Sequence, residues 1–203
     1  MMRNAAAALV AIVCWAGLAI QFSATYGHEH QIVGTLWILA RFFTVLTNLS
    51  VAVAMTWVAL GRRVSPLVLG GITLSILLVG VIYGLLLHGL HPLNGPAFVA
   101  NILLHDVSPV LMTLWWLLFA PRAQLKWSAP WWFTLYPVAY LAYVLARGRV
   151  DGRYPYPFID VSRIGWQQTA LNAGGIALGF IICGFVLVWI DGWRPLGSKR
   201  GRS

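Results

Sequence analysis

Long apolar stretches separated by short polar links run along most of the chain. About 20 consecutive apolar residues form a helix long enough to cross the hydrocarbon core of a bilayer. We predict six such helices, near residues 5–24, 35–60, 66–89, 97–120, 129–147 and 168–190. The short links at 61–65 and 121–128 favour antiparallel packing of the helices that they join. The pattern therefore predicts an all-α protein, an integral membrane bundle of six transmembrane helices that forms a single domain over residues 1–203.

Composition and charge agree with this class. Of the 203 residues, 60% are hydrophobic and 9% are charged, whereas a soluble domain carries about 25% charged residues. The net charge of +9 is typical of topology signals and of attraction to anionic headgroups, so we expect the lipid bilayer, and no nucleic acid, as a partner. Cys14 and Cys183 fall in different apolar stretches and are predicted to be buried thiols rather than a disulfide. Association into a homo-oligomer stays open.

The distribution of lysine and arginine predicts the orientation of the chain. With the N-terminus in the cytoplasm, nine of these residues fall on the cytoplasmic side and four on the outer side. The cytoplasmic residues are Arg3, Arg62, Arg63, Arg122, Lys126, Arg194, Lys199, Arg200 and Arg202, and the outer ones are Arg147, Arg149, Arg153 and Arg163. Because positive charge is retained in the cytoplasm, we expect a multi-pass protein of the cell inner membrane with both termini cytoplasmic.

The fourth apolar stretch contains a row of polar residues. On a helix, Asn101, His105 and Ser108 are spaced at i, i+4 and i+7 and share one face, and Asp106 follows the histidine directly. Taking an ionisable side chain out of water at this depth is costly unless it is paired, so such a residue is a functional candidate. The alternative is a histidine that bonds a neighbouring helix for packing alone.

The second apolar stretch has a polar face of its own. Arg41, Thr44 and Asn48 are spaced at i, i+3 and i+7, whereas Thr47 points about 60° away from Thr44. In the predicted topology Thr44 and His105 each lie about nine residues below the outer surface, or about 13 Å at a rise of about 1.5 Å per residue. They are therefore expected at the same depth.

Further polar side chains are predicted at the same outer level, whereas the inner halves of the spans are almost purely aliphatic. They are Tyr83, His88, Tyr140, Tyr143, Gln168 and Asn172. We therefore predict a polar pocket that opens towards the outer face or the outer leaflet. Arg41 either extends to the interface or pairs with Asp106 or with a substrate carboxylate.

This set of residues can perform acyl transfer. A neutral imidazole can take the proton of a neighbouring hydroxyl and make it a nucleophile, and nearby amides, hydroxyls or a guanidinium can stabilise the oxyanion. From the sequence alone, several hydroxyls are available as the partner of His105: Thr44, Thr47, Ser50 and Ser108.

Several motifs resemble those of one known family. They are Phe42-Phe-Thr44-Val-Leu-Thr47-Asn48-Leu, Asn101-x3-His105-x3-Pro109, Tyr136-Pro137, and Arg147-Gly148 followed by Tyr154-Pro-Tyr-Pro-Phe158-Ile-Asp160. In order and spacing, over about residues 36–190, they resemble the androgen-induced family of six-span membrane proteins. Animal members of this family are hydrolases that cleave fatty-acid esters of hydroxy fatty acids with one intramembrane threonine and one intramembrane histidine.

The resemblance implies a hydrolase of lipid (fatty-acyl) esters in which Thr44 is the nucleophile and His105 the general base. Two features depart from the animal pattern. The segment after Thr44 is one residue longer, which keeps Thr47 as a rival nucleophile, and Asp106 follows the histidine. The predicted substrate-binding or supporting residues are Arg41, Asn48, Asn101, Asp106, Ser108, Tyr140, Tyr143 and Asn172.

A non-enzymatic function is the alternative. In a membrane binding or transport protein, Arg41, His105 and Asp106 would bind an anion or relay protons. A covalent probe for serine-type hydrolases on the purified protein would distinguish the two classes.

Four histidines on the predicted outer loops form a second candidate cluster: His28, His30, His88 and His91. Together they could hold a metal, but His-x-His without a third fixed ligand is a weak signal, and a solvated loop is favoured. Haem between helices would need two deep histidines, and His105 alone is that deep. We therefore predict no metal and no cofactor.

Two further patterns give structural predictions. Gly80 and Gly84, like Gly175 and Gly179, form small-xxx-small pairs that allow helices to approach closely. The segment Tyr154–Phe158 contains two X-Pro steps. It is predicted to be extended and to lie over the pocket as a lid, or at the interface as an aromatic anchor.

Overall fold

The computed structural model describes residues 1–89 and 93–193. All regular structure in these two ranges is helical, which confirms the predicted all-α class. The helices are α1 (Met2–Glu29), α2 (Ile32–Leu39), α3 (Phe43–Ala59), α4 (Pro66–Ile82), α5 (Gly95–Ile102), α6 (Ser108–Phe119), α7 (Ala129–Asp151) and α8 (Val161–Gly192). A π-helical segment, Tyr83–Leu87, extends α4, another, Leu103–Val107, joins α5 to α6, and a 3₁₀ turn spans Pro157–Ile159.

Four of the described helical elements are long and apolar enough to cross a membrane. They are α1, α4 with its π-helical extension (Pro66–Leu87), the continuous element Gly95–Phe119, and α8. Helices α2 and α3 add a fifth only if the pair counts as one span, because the chain bends by 97° between them. Helix α7, predicted as a span over 129–147, is not among these candidates, since tryptophan, tyrosine and proline make its sequence less apolar.

The bend between α2 and α3 corrects the prediction of one continuous helix over 35–60. The chain leaves the helical conformation at Phe42, which has an extended backbone (φ −92°, ψ 126°) and precedes the first residue of α3. No glycine or proline lies at this position, so the local sequence does not signal a break.

Tyrosine hydroxyls satisfy backbone groups that the bend leaves without helical partners. The Tyr140 hydroxyl on α7 donates to the Arg41 carbonyl at 2.8 Å, and the Phe43 amide donates to the Tyr156 hydroxyl at 3.0 Å. Inside a bilayer an unpaired backbone group costs several kcal/mol. The two tyrosines therefore stabilise the bend, and they attach it to α7 and to the link between α7 and α8.

A buried carboxylate on α8 holds the link between α6 and α7. Asp191 is 1% exposed, and one of its carboxylate oxygens accepts hydrogen bonds from the Gln124 and Leu125 amides, both at 2.8 Å. Its carbonyl accepts a third from the Ala123 amide at 2.8 Å. Because a buried charge is stable only when it is hydrogen-bonded, Asp191 ties this link to the end of α8.

Close approach of two helices occurs at Gly80, where α4 passes the π-helical segment and α6. A Cβ atom at Gly80 would lie 3.1 Å from Pro109 Cβ and 3.3 Å from the His105 carbonyl oxygen. The close packing predicted for the other small-residue positions is wrong in the described chain. Nothing lies within 4 Å of the Cβ positions of Gly84, Gly175 and Gly179.

Both cysteines are free, as predicted, but only Cys14 is buried, whereas Cys183 is exposed on α8. One face of α8 is exposed, and Cys183 lies on that face. An apolar sequence therefore does not by itself predict that each of its thiols is buried. Some predictions fall on residues outside the described ranges. These are His91 and four of the cationic residues assigned to the cytoplasm, Arg194, Lys199, Arg200 and Arg202.

Replacing Gly80 by valine should destabilise the protein, because the added side chain would meet the Pro109 ring and a backbone carbonyl. Overpacking of this kind costs about 1–3 kcal/mol. Gly84→Val is the matched control, since its Cβ position is open, and it should change the free energy of unfolding by less than about 0.5 kcal/mol. Thermal unfolding in detergent measures both variants, and equal destabilisation would contradict the close approach at Gly80.

Candidate active site

Thr44 on α3 and His105 in the π-helical segment Leu103–Val107 face each other. Thr44 Oγ1 lies 3.1 Å from His105 Nε2, within the limit of about 4 Å expected of a pair that reacts together. Thr44 is 6% exposed and His105 is half-buried. The two residues are 61 positions apart in the chain, so packing of α3 against this segment creates the contact.

A second contact determines the tautomer of His105. Its Nδ1 lies 3.1 Å from the carbonyl oxygen of Asn101. A carbonyl oxygen only accepts hydrogen bonds, so Nδ1 carries the hydrogen of the neutral ring and donates it. Nε2 then presents its lone pair to the Thr44 hydroxyl, which donates to it. This is the arrangement of a general base beside a nucleophile.

The ring of His105 is also held from the side of α4. Tyr83 packs against it, with 4.4 Å between the ring centroids and 31° between the ring planes. The Tyr83 hydroxyl in turn accepts a hydrogen bond of 2.6 Å from the Asn101 side-chain amide. Asn101, predicted as a supporting residue, therefore orients the imidazole through its carbonyl and the tyrosine through its side chain.

The π-helical segment leaves one backbone carbonyl available to another helix. The Ser108 amide donates to the Leu103 carbonyl, five residues earlier, and Pro109 has no amide hydrogen with which to continue the pattern. The Leu104 carbonyl instead accepts from the Asn48 side-chain amide at 3.0 Å, and the Ser108 hydroxyl oxygen lies 3.2 Å from it. Wide turns of this kind are frequent at functional sites.

Asn48 and Ser108 form a buried polar clamp between α3 and the helix of His105. The Asn48 side-chain amide donates to the Thr44 carbonyl at 2.9 Å as well as to Leu104, and the Ser108 hydroxyl lies 2.6 Å from Asn48 Oδ1. Both side chains are fully buried. They hold Thr44 and His105 at one level, although neither side chain contacts the space beside the pair.

The other hydroxyls considered as nucleophiles have different partners. Thr47 Oγ1 lies 3.1 Å from the Tyr136 hydroxyl, and Ser50 Oγ donates to the Leu46 carbonyl at 2.9 Å. Ser108 belongs to the clamp. Within the described residues, Thr44 is the hydroxyl that bonds His105, so the geometry favours it over Thr47.

An apolar cavity of about 110 Å³ lies beside Thr44, between α3, α4, α7 and α8. Its walls are mainly aliphatic and aromatic, and Thr44, Thr134 and two tyrosine hydroxyls are its polar contributions. The polar pocket predicted at this level is therefore wrong for this space. Among the residues predicted for the site, Thr44 and Tyr140 line the cavity, whereas Arg41, Asn48, Asn101, Asp106, Ser108, Tyr143 and Asn172 do not.

His105 borders a different space, a groove of about 400 Å³ between α4 and α6. Its polar residues are His105, Asp106 and Thr113, and its remaining lining is apolar apart from Gly80. Thr44 does not line the groove, and His105 does not line the cavity. The pair thus stands between two spaces of different chemical character.

Arg41 pairs with Asp151 at the end of α7, with 2.5 Å between Nη2 and Oδ2. The predicted alternative in which it pairs with Asp106 is wrong, and so is extension to the interface, since Arg41 is 8% exposed. Asp151 also lies 3.4 Å from Nε of Arg147. The set Arg41, His105 and Asp106 therefore does not converge on one anion or proton site.

Tyr143 belongs to this ionic cluster rather than to the cavity. Its hydroxyl accepts a hydrogen bond of 2.8 Å from Arg147, whose guanidinium also donates to the Trp37 carbonyl at 2.6 Å and stacks on the Trp37 ring at 3.8 Å. The cluster joins α2 to α7 and supports the bend between α2 and α3.

The segment Tyr154–Phe158 covers the cavity. Tyr156 and Phe158 line it and stack on each other at 5.2 Å between centroids. The segment is tied to α3 by the Phe43–Tyr156 bond and to α8 by Asn172, whose side-chain amide donates to the Phe158 carbonyl at 2.9 Å. Tyr156 is extended as predicted, but Pro157 begins a 3₁₀ turn. Asn172 thus positions the covering segment.

Among the described residues, no group of three or more histidine, cysteine, aspartate or glutamate side chains could hold a metal ion. Of the four histidines predicted as a candidate cluster, His91 lies outside the described ranges.

No known protein-family model, curated protein or solved structure matches this chain.

Replacing Asn48 by leucine should lower the free energy of unfolding by about 1–3 kcal/mol, because two buried carbonyls and the Ser108 hydroxyl lose a partner. Ser50→Ala is the control, since that hydroxyl donates to the Leu46 carbonyl of its own helix, and its effect should stay below about 0.5 kcal/mol. Denaturant unfolding in detergent compares the two. Wild-type stability of Asn48→Leu would mean that the clamp does not hold the helices together.

Proposed function

We propose that this protein is an intramembrane threonine/histidine hydrolase that cleaves fatty-acyl esters of lipids. The observation that carries the proposal is the 3.1 Å contact between Thr44 Oγ1 and His105 Nε2 at the edge of an apolar cavity. The contact supplies a nucleophile with its base, and the cavity suits an acyl chain because its lining is aliphatic and aromatic. The motif resemblance supports the same assignment.

In the proposed acylation step, Thr44 Oγ1 attacks the carbonyl carbon of the ester while its proton moves to His105 Nε2. The tetrahedral intermediate then collapses, the bond from the carbonyl carbon to the alcohol oxygen breaks, and His105 returns the proton to that oxygen. The alcohol leaves, and the acyl group remains esterified to Thr44. The Asn101 carbonyl stabilises the transient imidazolium by accepting from Nδ1.

Deacylation reverses these roles with water. His105 Nε2 takes a proton from a water molecule, whose oxygen attacks the acyl carbon, and the bond to Thr44 Oγ1 breaks as that oxygen regains a proton. The products are a fatty acid and free Thr44. Tyr156 is the proposed donor to the oxyanion, because its hydroxyl accepts from the Phe43 amide next to Thr44 and can direct its own hydrogen towards the cavity.

The proposed arrangement in the cell inner membrane has six spans. Helices α2 and α3 together form the second span, and α7 forms the fifth. Both termini are cytoplasmic. The excess of lysine and arginine on one side supports this orientation. Helix α7 packs against α4 and α8, and its 23 residues are long enough to cross the hydrocarbon core, which supports its place as a span although it is less apolar than the others.

Thr44→Ala and His105→Ala should each reduce kcat/KM for a long-chain fatty-acyl ester by about a thousandfold or more, and the double variant should be no slower than either single one, because paired catalytic groups act as a unit. Thr44→Ser keeps a hydroxyl and should retain part of the rate. Ester hydrolysis by purified protein in detergent measures all four variants.

Thr47→Ala is the matched control, since this hydroxyl bonds Tyr136 and not His105, and it should retain most of the activity. A fluorophosphonate probe should label the wild type and Thr47→Ala but not Thr44→Ala. Full activity of Thr44→Ala, or labelling of a residue other than Thr44, would refute the mechanism.

Reporter fusions test the proposed orientation. Fusions after Gly61 and after Lys126 should report a cytoplasmic position, because the flanking arginines and lysine are retained there, and a fusion after Gly95 should report an external one. The opposite pattern would place the Thr44–His105 pair in the inner leaflet and contradict the arrangement.

A further inference from the structure

The groove beside His105 contains a carboxylate, whereas the apolar cavity beside Thr44, the proposed acyl site and from here on the acyl cavity, contains none among the described residues that line it. Asp106 follows the catalytic histidine in the π-helical segment, and its side chain is exposed in the groove between α4 and α6. Within residues 1–89 and 93–193, Asp106 forms no salt bridge; the two that the structure contains involve Asp151. A carboxylate at the level of His105 therefore faces the groove without a counter-charge from the described chain.

A second polar residue borders the same space. Thr113, about one turn along the helix from Pro109, lines the groove, and its hydroxyl oxygen is buried without a hydrogen-bond partner in the described residues. A buried hydroxyl that lacks a partner is costly, and so is a carboxylate that meets hydrocarbon. The cost of the exposed carboxylate falls if the groove receives a group with hydrogen-bond donors.

The position of the groove identifies which part of an ester this group belongs to. Thr44 lines the acyl cavity and His105 lines the groove. When the ester bond breaks, the oxygen that leaves must take its proton from His105, so the alcohol has to lie on the histidine side of the scissile bond, while the acyl chain stays on the threonine side.

We propose that the groove lined by His105, Asp106 and Thr113 binds the alcohol half of the ester, and that Asp106 selects alcohols that carry no negative charge. This inference rests on the proposed hydrolase function and specifies its substrate. An alcohol with further hydroxyl or amide groups donates to the Asp106 carboxylate. An alcohol with its own carboxylate is repelled by it, because two negative charges close together in a poorly solvated groove strongly oppose binding.

This selectivity is opposite to the one that the motif resemblance implies. An ester of a hydroxy fatty acid releases an alcohol that bears a carboxylate, and Asp106 is the acidic residue that departs from the animal pattern. In this proposal, the negative charge of Asp106 gives the protein a different substrate preference from hydrolases of esters whose alcohol half carries a carboxylate. The Thr44–His105 chemistry remains the same.

Two esters that differ only in charge test the proposal. One is the oleate ester of a hydroxy fatty acid, and the other is the same compound with its free carboxylate converted to a primary amide. The wild type should cleave the amide compound with the higher kcat/KM. In Asp106→Asn the ratio between the two compounds should shift towards the acid by about tenfold, since the repulsion is gone. Glu29→Gln removes an equal charge outside the groove lining and should leave the ratio unchanged.

The outcomes separate this inference from the hydrolase proposal. A wild type that cleaves the acid as fast as the amide overturns the selectivity without any variant being needed. An unchanged ratio in a folded Asp106→Asn also overturns it, although the hydrolase function would stand. A wild type that cleaves neither compound and is not labelled at Thr44 by the fluorophosphonate probe refutes the hydrolase, and the alcohol site falls with it.

Discussion

The candidate active site depends on the carbonyl oxygen of Leu104, which its own helix leaves available to a neighbour. The wide π-helical turn and the missing amide hydrogen of Pro109 free this carbonyl, and Asn48 on α3 donates to it at 3.0 Å. In a setting without water, that bond is costly to lose. The same asparagine bonds the Thr44 carbonyl, so the helix that carries the hydroxyl and the helix that carries the imidazole are held in one register.

The bend between α2 and α3 has a comparable role on the opposite side of Thr44. It ends α2 at Leu39, four residues before α3 begins at Phe43, and it places Thr44 in the first turn of α3, beside the amide that bonds Tyr156. A straight helix would have paired that amide internally and left the covering segment without its attachment to α3. The Arg41–Asp151 pair at 2.5 Å attaches the bend to α7, so the bend, the cover and the ionic cluster support one another.

The proposed chemistry follows from the separation of two spaces by one hydrogen-bonded pair. An apolar cavity meets the nucleophile, and a groove with a carboxylate meets the base. An ester that bridges them has an apolar half and a hydrogen-bonding half, which is the general form of a lipid. Because the division runs between Thr44 and His105, substitutions on the two sides should alter different halves of the substrate preference, with Asp106 acting on the alcohol alone.

The sequence by itself determined the all-α class and the apolar character of the long helices, and it predicted a common depth for Thr44 and His105, because each follows from local composition or from helical periodicity. Their contact at 3.1 Å was expected from the motif resemblance and from this shared depth. The tertiary structure decided the bend before α3, the contact of His105 with Thr44 and not with Thr47, the pairing of Arg41 with Asp151, and the apolar lining of the cavity. Each of these depends on residues from distant helices that meet in space, and no local pattern specifies which side chain will satisfy a given carbonyl, hydroxyl or charge.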